Sequence, residues 1–337
     1  MRKAFITGTA GFIGFHLSTL LLRHGWQVHG FDGITDYYDV GLKRARHGRL
    51  LQTPGFSATE AMLEDQAALD RAVDGFAPDV IIHLAAQAGV RYSLENPASY
   101  VQSNVVGTFH VMEAARRLGV QHLLMASTSS IYGANESLPF RETDKADGQL
   151  TIYAATKKAT EAMGHAYAHL WNLPTTMFRF FTVYGTWGRP DLAYFKFVDA
   201  ILNDRPIDVY NHGQMWRDFT CVDDLVEGIR LLIDAVPLRP AAGEAVPEWD
   251  SLSKDAPFRI VNIGNSEQVR LTDFIDALEE VLGRKAVRNL MPMQKGDVPA
   301  TWADASLLKR LTGYAPKTDL KEGMRRFVAW YRDYYGR

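Results

Sequence analysis

The stretch Lys3-Ala4-Phe5-Ile6-Thr7-Gly8-Thr9-Ala10-Gly11-Phe12-Ile13-Gly14 decides the fold of this chain. An apolar run of strand length ends at the first glycine, and two more glycines follow at intervals of three residues. A helical apolar pattern then runs from Phe12 to Arg23. A strand, a glycine-rich turn and a helix N-terminus form a pyrophosphate site, because backbone N–H groups reach the phosphates and the helix dipole favours negative charge. We therefore expect a dinucleotide to bind at Gly8, Gly11, Phe12, Ile13 and Gly14; the alternative is a glycine-rich turn without a ligand.

The second predicted strand supports the dinucleotide and indicates which one it is. Val28–Asp32 reads as a strand, and Asp32 lies 18 residues after Gly14. A carboxylate near this position hydrogen-bonds the adenosine ribose in such sites. It would repel a 2′-phosphate, and Gly33 and Ile34 offer no arginine to bind one. The sequence therefore favours NAD over NADP.

Composition excludes several classes of function. The 337 residues are 47% hydrophobic and 23% charged, which is typical of a globular chain forming one large domain or two smaller ones. A net charge of −2 gives no basis for a nucleic-acid partner. Cys221 is the single cysteine, so no intramolecular disulfide forms and a reducing, cytoplasmic location is expected. We expect no signal peptide, because the first strand starts at Lys3, and no membrane span, because no apolar run approaches about 18 residues.

Strand and helix patterns alternate along the first half of the chain. Strands are predicted at 3–7, 28–32, 56–59, 79–84, 122–126 and 175–180, and helices at 12–23, 66–74, 97–118 and 153–171. Residues 35–48 read as a polar connection. This alternation predicts an α/β fold with a doubly wound parallel sheet.

The regular alternation of strand and helix patterns ends after Gly185, which predicts a second, smaller α/β domain. We expect 1–183 to form the dinucleotide-binding domain, with returns near 219–235 and 258–265, and 184–218 with 266–337 to form a substrate-binding domain. Ile260–Ile263 then rejoins the main sheet, and 236–257 is a surface loop.

Two groups of polar residues follow the middle strands. Ser127-Thr128-Ser129-Ser130 offers four consecutive hydroxyls at the carboxyl end of a strand, where open α/β sheets bind ligands; the alternative is a Ser/Thr-rich turn. Tyr153 and Lys157 share one helix face. A nearby cation, with a second positive charge from oxidised nicotinamide, would lower the tyrosine pKa and yield a usable base at neutral pH. The alternative is a purely structural role, which is common for such a pair.

These motifs together resemble the extended short-chain dehydrogenase/reductase family of nucleotide-sugar enzymes over essentially the whole chain. The segments His83-Leu-Ala-Ala-Gln-Ala-Gly-Val-Arg91 and Phe178-Arg-Phe-Phe-Thr182-Val-Tyr-Gly-Thr-Trp-Gly-Arg189 are most similar to those of the UDP-glucuronate 4-epimerases. The resemblance implies a Rossmann domain and an isomerase with tightly held NAD. Tyr153 takes the C4 hydroxyl proton while C4 gives a hydride to NAD⁺. The 4-keto sugar then turns over and receives the hydride on its other face.

The resemblance also assigns roles to individual residues. Catalysis falls to Tyr153, Lys157 and Thr128. Further cofactor contacts fall to Leu63, to Phe180, and to the segment from His83 through Leu84 and Ala85 to Ala86. The UDP-sugar contacts fall to Arg91, Ser129, Ser130, Thr182, Arg189, Arg217 and Asp297. For Arg91, a salt bridge that closes its loop is the alternative. Met62 stands where many relatives carry an adenine-binding aspartate, which leaves Glu64 or Asp65 as substitutes or the contact absent. No metal is expected.

Related activities differ at a few positions. Similar dehydratases carry Asp-Glu at positions 129 and 130, and similar decarboxylases carry glutamate at 130, whereas this chain has Ser129 and Ser130. UDP-glucose 4-epimerases typically have asparagine in place of Thr182. A hydroxyl and Arg189 suit a substrate carboxylate at C5. The expected reaction is therefore epimerisation of UDP-glucuronate to UDP-galacturonate. The alternatives are a UDP-glucuronate decarboxylase, a UDP-hexose 4-epimerase and, remotely, a non-catalytic NAD-binding scaffold.

Two further expectations concern the assembly of the protein and its metabolic role. Apolar faces on helices 97–118 and 153–171 suggest a homodimer of the kind that relatives form. The activity expected belongs to carbohydrate metabolism and would supply polysaccharide biosynthesis.

Overall fold

The computed structural model describes residues 1–294 and 296–337. Its strands and helices, numbered along the chain, have the following bounds. The strands are β1 Lys3–Thr7, β2 Gln27–Asp32, β3 Phe56–Glu60, β4 Val80–His83, β5 His122–Thr128, β6 Thr175–Phe180, β7 Thr182–Tyr184, β8 Ile207–Val209, β9 Trp216–Arg217, β10 Phe219–Cys221, β11 Phe258–Ile263, β12 Val269–Arg270, β13 Arg288–Leu290 and β14 Ala300–Thr301. The helices are α1 Phe12–Arg23, α2 Val40–Leu51, α3 Gln66–Phe76, α4 Tyr92–Glu95, α5 Pro97–Tyr100, α6 Thr108–Leu118, α7 Ile152–Trp171, α8 Ala193–Leu202, α9 Val222–Leu232, α10 Leu271–Leu282, α11 Ser306–Thr312 and α12 Leu320–Tyr335.

Seven parallel strands form the central sheet in the order β11-β6-β5-β4-β1-β2-β3. Alternate residues of β1 face opposite layers: Ala4 and Ile6 pack with α1 and α9, whereas Phe5 packs with α3 and α6. Helices therefore cover both faces, and the prediction of a doubly wound α/β fold is confirmed. The order reverses between β1 and β4, so the carboxyl ends of these strands form the crevice in which such sheets bind ligands.

The C-terminal third adds one strand to the sheet and a separate apolar cluster. β11 pairs with β6 along its whole length, so Ile260–Ile263 lies in the main sheet as predicted. Tyr194, Phe274 and Phe327 belong to a third core built from α8, α10 and α12. Residues 236–257 contain no helix or strand. The proposed boundaries of the two domains stay a prediction.

Two local expectations were wrong. Residues 40–51 form α2, not a polar connection; Asp39 caps the helix by accepting from the Gly41 and Leu42 amides. Its buried face carries Lys43 and Arg46 beside Leu42 and Leu50, and these inward polar residues interrupt the apolar periodicity. Ser127 and Thr128 belong to β5, because both pair with β6.

The stretch 97–118 is helical throughout, as predicted. It contains a π-helical segment, Val101–Gly107, between α5 and α6.

No helix in the described ranges is both long and apolar enough to cross a membrane. Within the same residues, no group of three or more His, Cys, Asp or Glu side chains is arranged to hold a metal ion.

Candidate active site

A cavity of about 1020 Å³ follows the carboxyl ends of the central strands and extends to the C-terminal third. It brings together every side chain and glycine assigned a catalytic, cofactor or substrate role by resemblance, His83 excepted. The lining includes Gly8, Gly11, Phe12, Ile13, Gly14, Asp32, Leu63, Leu84, Ala85, Ala86 and Phe180, which were assigned to the cofactor, the catalytic residues Thr128, Tyr153 and Lys157, and Arg91, Ser129, Ser130, Thr182, Arg189, Arg217 and Asp297, which were assigned to the UDP sugar.

The glycine-rich turn has no room for side chains. A Cβ on Gly14 would lie 2.0 Å from the Gly8 carbonyl oxygen, and one on Gly8 would lie 2.8 Å from the Ala85 amide nitrogen. Gly8 also has φ +82°, a conformation that favours glycine. The turn thus leaves an open cradle at the N-terminus of α1, which fits a dinucleotide pyrophosphate.

Asp32 lies at the tip of β2, facing this cradle. One carboxylate oxygen accepts from the Ala10 amide at 2.8 Å and the other from the Ile34 amide at 2.8 Å. A carboxylate has about four acceptor positions, so two remain for the ribose hydroxyls of NAD. The two amide bonds fix the orientation that such a contact needs.

Lys43 is a cavity residue that the sequence analysis missed. It projects from α2, and its Nζ donates to the carbonyl of Thr35 at 2.6 Å and to its hydroxyl at 3.1 Å. Burial lowers the pKa of Lys43, while the charge of Asp32 opposes that shift. A cation therefore does stand near Asp32, although none comes from positions 33 and 34. Recognising α2 would have revealed it.

The predicted catalytic residues meet where β5 faces the start of α7. Thr151 caps this helix by accepting from the Ala154 amide at 3.2 Å, which places Tyr153 in the first turn and Lys157 in the second. Lys157 Nζ donates to the Ala126 carbonyl at 2.9 Å. Burial lowers the pKa of Lys157 to about 8, against the raising effect of Glu161.

Lys157 is not among the groups that shift the Tyr153 pKa, and the predicted lowering by Lys157 together with oxidised nicotinamide stays a prediction. Burial raises the pKa of Tyr153, and the groups that oppose this shift are the Thr128 hydroxyl and the Arg189 charge. The reason is geometric, because the ammonium of Lys157 is engaged with a carbonyl of β5. Thr128 is thus the hydroxyl that acts directly on the candidate base.

The four consecutive hydroxyl residues from Ser127 to Ser130 form two separate sets of hydrogen bonds. Ser127 donates to Glu161 Oε1 at 2.7 Å, and the Glu161 carboxylate also accepts from Arg179 Nε and Nη2 at 3.0 and 2.9 Å. Thr128 Oγ1 accepts from the Ser130 amide at 3.2 Å and lies 3.2 Å from its hydroxyl. All four residues line the cavity, but the Ser127 hydroxyl is engaged with Glu161, whereas the Thr128 and Ser130 hydroxyls lie beside each other.

Both arginines assigned to anionic parts of the substrate are paired with a carboxylate of this chain. Arg189 binds Asp191 through two hydrogen bonds. Burial disfavours its charge, but Asp191 outweighs this and raises the pKa of Arg189. Arg217 Nη2 donates to Asp297 at 2.6 Å, and burial lowers its pKa against the pull of that carboxylate.

His83 and Arg91 have different neighbours from those that the sequence suggested. His83 is buried between the hydroxyls of Thr7 and Thr108, at 2.7 and 2.9 Å, and burial lowers its pKa to about 3. Its ring lies behind the cavity wall and does not line the cofactor site. Arg91 stacks over the Tyr210 ring at 4.9 Å rather than closing its loop by a salt bridge.

The adenine end has no substitute for the missing acid. Asp65 caps α3 by accepting from the Ala68 amide at 2.9 Å, and neither it nor Glu64 is among the described residues that line the cavity. Met62 does line it, with 43% of its surface exposed. This wall is therefore apolar where many relatives carry a carboxylate.

Comparison with known proteins gives consistent results. Residues 4–245 match the model of the NAD dependent epimerase/dehydratase family. The chain is 56% identical over 335 residues to the "Probable UDP-glucuronate 4-epimerase" of Rhizobium meliloti (strain 1021), covering 99% of this chain and 98% of that protein. It is 44% identical to UDP-glucuronate 4-epimerase 1 of Arabidopsis thaliana, covering 99% of this chain and 77% of that one. The crystal structure of UDP-glucuronic acid 4-epimerase from Bacillus cereus with UDP-glucuronic acid and NAD superposes with a TM-score of 0.88 at 29% identity, covering 99% and 100% of the two chains.

Proposed function

This chain belongs to the NAD dependent epimerase/dehydratase family, and from that premise we propose that it is an isomerase converting UDP-glucuronate to UDP-galacturonate with NAD. One observation carries the choice among the activities of the family. Tyr153, Lys157 and Thr128 share the cavity with Ser129, Ser130, Thr182 and Arg189, and positions 129 and 130 offer no carboxylic acid. The site therefore has the groups for oxidising C4 and for holding a sugar carboxylate, without an acid for chemistry at C5.

The cofactor fits the residues of this chain. The glycine turn would hold the pyrophosphate, Asp32 the adenosine ribose, and Phe180 the nicotinamide end, with Leu84, Ala85 and Ala86 along the opposite wall. When bound, NAD accepts a hydride from the sugar and returns it, so it is regenerated in each cycle. We propose that it stays bound throughout, because a cofactor that is restored in place has no need to exchange.

The remaining chemistry belongs to side chains. Tyr153 receives the C4 hydroxyl proton and later returns it, and Thr128 hydrogen-bonds the C4 oxygen beside it. Lys157, when protonated, supplies positive charge to the site in which the phenolate forms. Arg217 and Asp297 exchange their mutual contact for the diphosphate and the uridine ribose. Arg91 contributes at the cavity rim.

Retaining the carboxylate is the second task of the site. The 4-keto uronic acid is a β-keto acid, which loses CO₂ when its C5–carboxyl bond aligns with the ketone π system. We propose that, while the sugar turns over, the carboxylate is held away from this alignment by Thr128, Ser129, Ser130, Thr182 and Arg189. A decarboxylase would instead promote it, and a UDP-hexose 4-epimerase would have no need for the arginine.

Two parallel incubations test the proposal against its alternatives. The purified protein is mixed with UDP-glucuronate in one and with UDP-glucose in the other, and the products are followed by NMR. We expect UDP-galacturonate. UDP-pentose would indicate the decarboxylase, turnover of UDP-glucose alone would indicate the hexose epimerase, and no change with either sugar would indicate a non-catalytic NAD-binding scaffold.

We further propose a domain division and an assembly. Residues 1–183, with 219–235 and 258–265, form the NAD-binding domain, and 184–218 with 266–337 bind the UDP sugar. The π-helical segment, α6 and α7 form a homodimer interface, since Val101, Phe109 and Ile152 expose apolar side chains on these elements. Phe109→Asp should then yield a monomer in analytical ultracentrifugation, whereas Leu238→Asp, in the 236–257 loop, should leave the dimer intact.

We place the protein in the cytoplasm, where its product would supply polysaccharide biosynthesis. The single cysteine, Cys221, is buried, and burial raises the pKa of its thiol to about 11, which suits a chain that makes no use of disulfide chemistry. Cell fractionation tests the location. Deleting the gene should remove galacturonate from the polymers of the cell if the role in biosynthesis is right.

A further inference from the structure

Three successive carbonyl groups, those of Thr186, Trp187 and Gly188, accept hydrogen bonds from side chains of the dinucleotide-binding half. His16 of α1 places Nε2 2.8 Å from the Thr186 oxygen. Arg46 of α2 donates to the Trp187 oxygen through Nε and Nη2, at 3.0 and 2.6 Å, and to the Gly188 oxygen through Nη2 at 2.8 Å. The segment held in this way leads directly into Arg189.

Arg46 also holds the glycine-rich turn. Its Nη1 donates to the Ala10 carbonyl at 3.0 Å and to the Tyr38 hydroxyl at 2.8 Å. The amide of Ala10 in turn donates to Asp32, the predicted ribose ligand. All five N–H groups of this fully buried guanidinium therefore go to uncharged oxygens, in two segments of the site and in the loop before α2.

The held segment is conformationally demanding. Trp187 has φ +55°, a value that a bulky residue adopts only where its surroundings impose it. Its ring packs 5.5 Å from Phe15 and 5.3 Å from Trp330. A Cβ on Gly188 would lie 1.9 Å from the Tyr194 hydroxyl oxygen, so glycine is required there. The segment thus has one well-defined conformation, and Arg46 bonds to the carbonyl of its least favourable residue.

We propose that Arg46 is a positioning residue that couples the cofactor turn to Arg189, so that retention of NAD and recognition of the sugar carboxylate depend on one side chain. The inference rests on the proposed function in one respect, namely that Arg189 contacts the carboxylate. Hydrogen bonds from a charged donor are stronger than neutral ones. The bonds to Trp187, Gly188 and Ala10 leave from three nitrogens of one planar fork, so the single nitrogen of a lysine cannot make all of them together.

The test compares Arg46→Lys, which keeps the charge but loses the fork, with the wild-type protein. Two quantities are measured: bound NAD per chain after gel filtration, and the dissociation constants of UDP-glucuronate and UDP-glucose by calorimetry. We expect the variant to lose most of its NAD. We also expect UDP-glucuronate binding to weaken about 10-fold and UDP-glucose binding by less than about 3-fold, the size expected for losing charged hydrogen bonds to one group.

Arg259→Lys is the matched control, because Arg259 is also a buried arginine but pairs with Asp250, at 2.9 and 3.0 Å, away from the cavity. It should lower the melting temperature without changing NAD content or sugar preference. His16→Ala removes the Thr186 bond together with ring contacts to Phe12 and Phe15 and a 3.8 Å approach to Asp223, but leaves every Arg46 bond in place. It should weaken UDP-glucuronate binding while NAD is retained. If Arg46→Lys does not fold, the His16→Ala variant tests whether holding this segment affects recognition of the sugar carboxylate.

The outcomes separate this inference from the proposed function. Unchanged NAD content and unchanged sugar preference in Arg46→Lys would overturn the coupling, as would equal weakening of both sugars. For a poorly folding Arg46→Lys, unchanged UDP-glucuronate binding in His16→Ala would do the same. A wild-type protein that binds both sugars but converts neither would overturn the proposed function and leave the coupling to be judged from the binding constants.

Discussion

Arg189 and Asp191 form a two-pronged ion pair at the wall of the cavity, with Nε–Oδ1 at 3.0 Å and Nη2–Oδ2 at 2.6 Å. The Tyr37 hydroxyl lies 3.3 Å from the same Asp191 oxygen. Although burial opposes ionisation, Arg189 holds the pKa of Asp191 below its ordinary value, so the pair stays charged at neutral pH. A sugar carboxylate would thus meet a guanidinium with one edge already occupied, and hydroxyl groups must complete its shell.

Replacing Arg189 or Thr182 by alanine should release the carboxylate of the 4-keto sugar. We expect kcat/KM for UDP-glucuronate to fall about 100-fold for Arg189→Ala, the size of a lost hydrogen bond between charged groups, and UDP-pentose to appear in the NMR spectrum. Arg284→Ala, which removes an exposed pair with Asp204, is the control. Full activity without UDP-pentose in both variants would show that these residues do not hold the carboxylate.

Tyr153→Phe should abolish turnover and leave binding intact. The phenol is the candidate base, and a positioned acid–base group contributes about 10²–10⁴-fold to a rate. We expect kcat to fall within or beyond this range while NAD content and the dissociation constant of UDP-glucuronate stay within about 2-fold of wild type. A variant that keeps more than a tenth of the activity would exclude Tyr153 as the base.

Activity should decline as the pH rises through about 8, the pKa to which burial lowers Lys157. Between this value and the ordinary lysine pKa near 10.5, the unfolded chain binds more protons than the folded one, so the Lys157 contribution makes folding more favourable as pH rises. The loss of activity is therefore not explained by an effect of Lys157 on the stability of the fold. Paired measurements of kcat and melting temperature from pH 6 to 10 check this.

The pH profile of the Glu161→Gln variant tests the role of Lys157 more specifically. The Glu161 carboxylate raises the pKa of Lys157, so its neutral replacement should move the descending limb of the kcat profile to lower pH. A uniform loss of activity at every pH, with the limb unmoved, would mean that Glu161 acts only by bracing Ser127 and Arg179.

Gly14→Ala should cost the protein its cofactor. The new Cβ would lie 2.0 Å from the Gly8 carbonyl oxygen and 3.0 Å from the Thr9 Cα, so the turn has to move. The control is Gly48→Ala in α2, where a Cβ meets nothing within 4 Å and should add about 0.5–1 kcal/mol to the free energy of unfolding. Absorbance at 260 nm and chemical denaturation measure the two effects. Bound NAD at the wild-type level in Gly14→Ala would contradict the cradle.

The parts of the site that could be predicted from sequence are those set by local spacing. The glycine triplet, Asp32 at a strand end, and Tyr153 one helical turn before Lys157 each depend on a single strand or helix, whose period fixes where side chains point. The doubly wound parallel sheet, which is confirmed, follows from the alternation of strand and helix patterns along the chain. Helix α2 was not predicted because its buried face includes Lys43 and Arg46, which interrupt the apolar periodicity expected of a helix.

Side-chain partners could not be predicted, because they depend on the path of the folded chain. The pairing of Arg217 with Asp297 spans 80 positions, and the bonds of Arg46 to residues 187 and 188 span more than 140. The groups of this chain that shift the Tyr153 pKa could not be predicted from spacing for a related reason. Sequence spacing placed a cation nearby, but burial and the engagement of Lys157 with Ala126 decide the outcome.

The most direct test of the central claim is NMR of UDP-glucuronate incubated with the protein in D₂O without added cofactor. The account predicts UDP-galacturonate that keeps its C4 and C5 hydrogens, because the C4 hydrogen leaves and returns as hydride without meeting solvent. Deuterium at C4 of the product, UDP-pentose as the main product, or unchanged UDP-glucuronate from a protein without bound dinucleotide would contradict it.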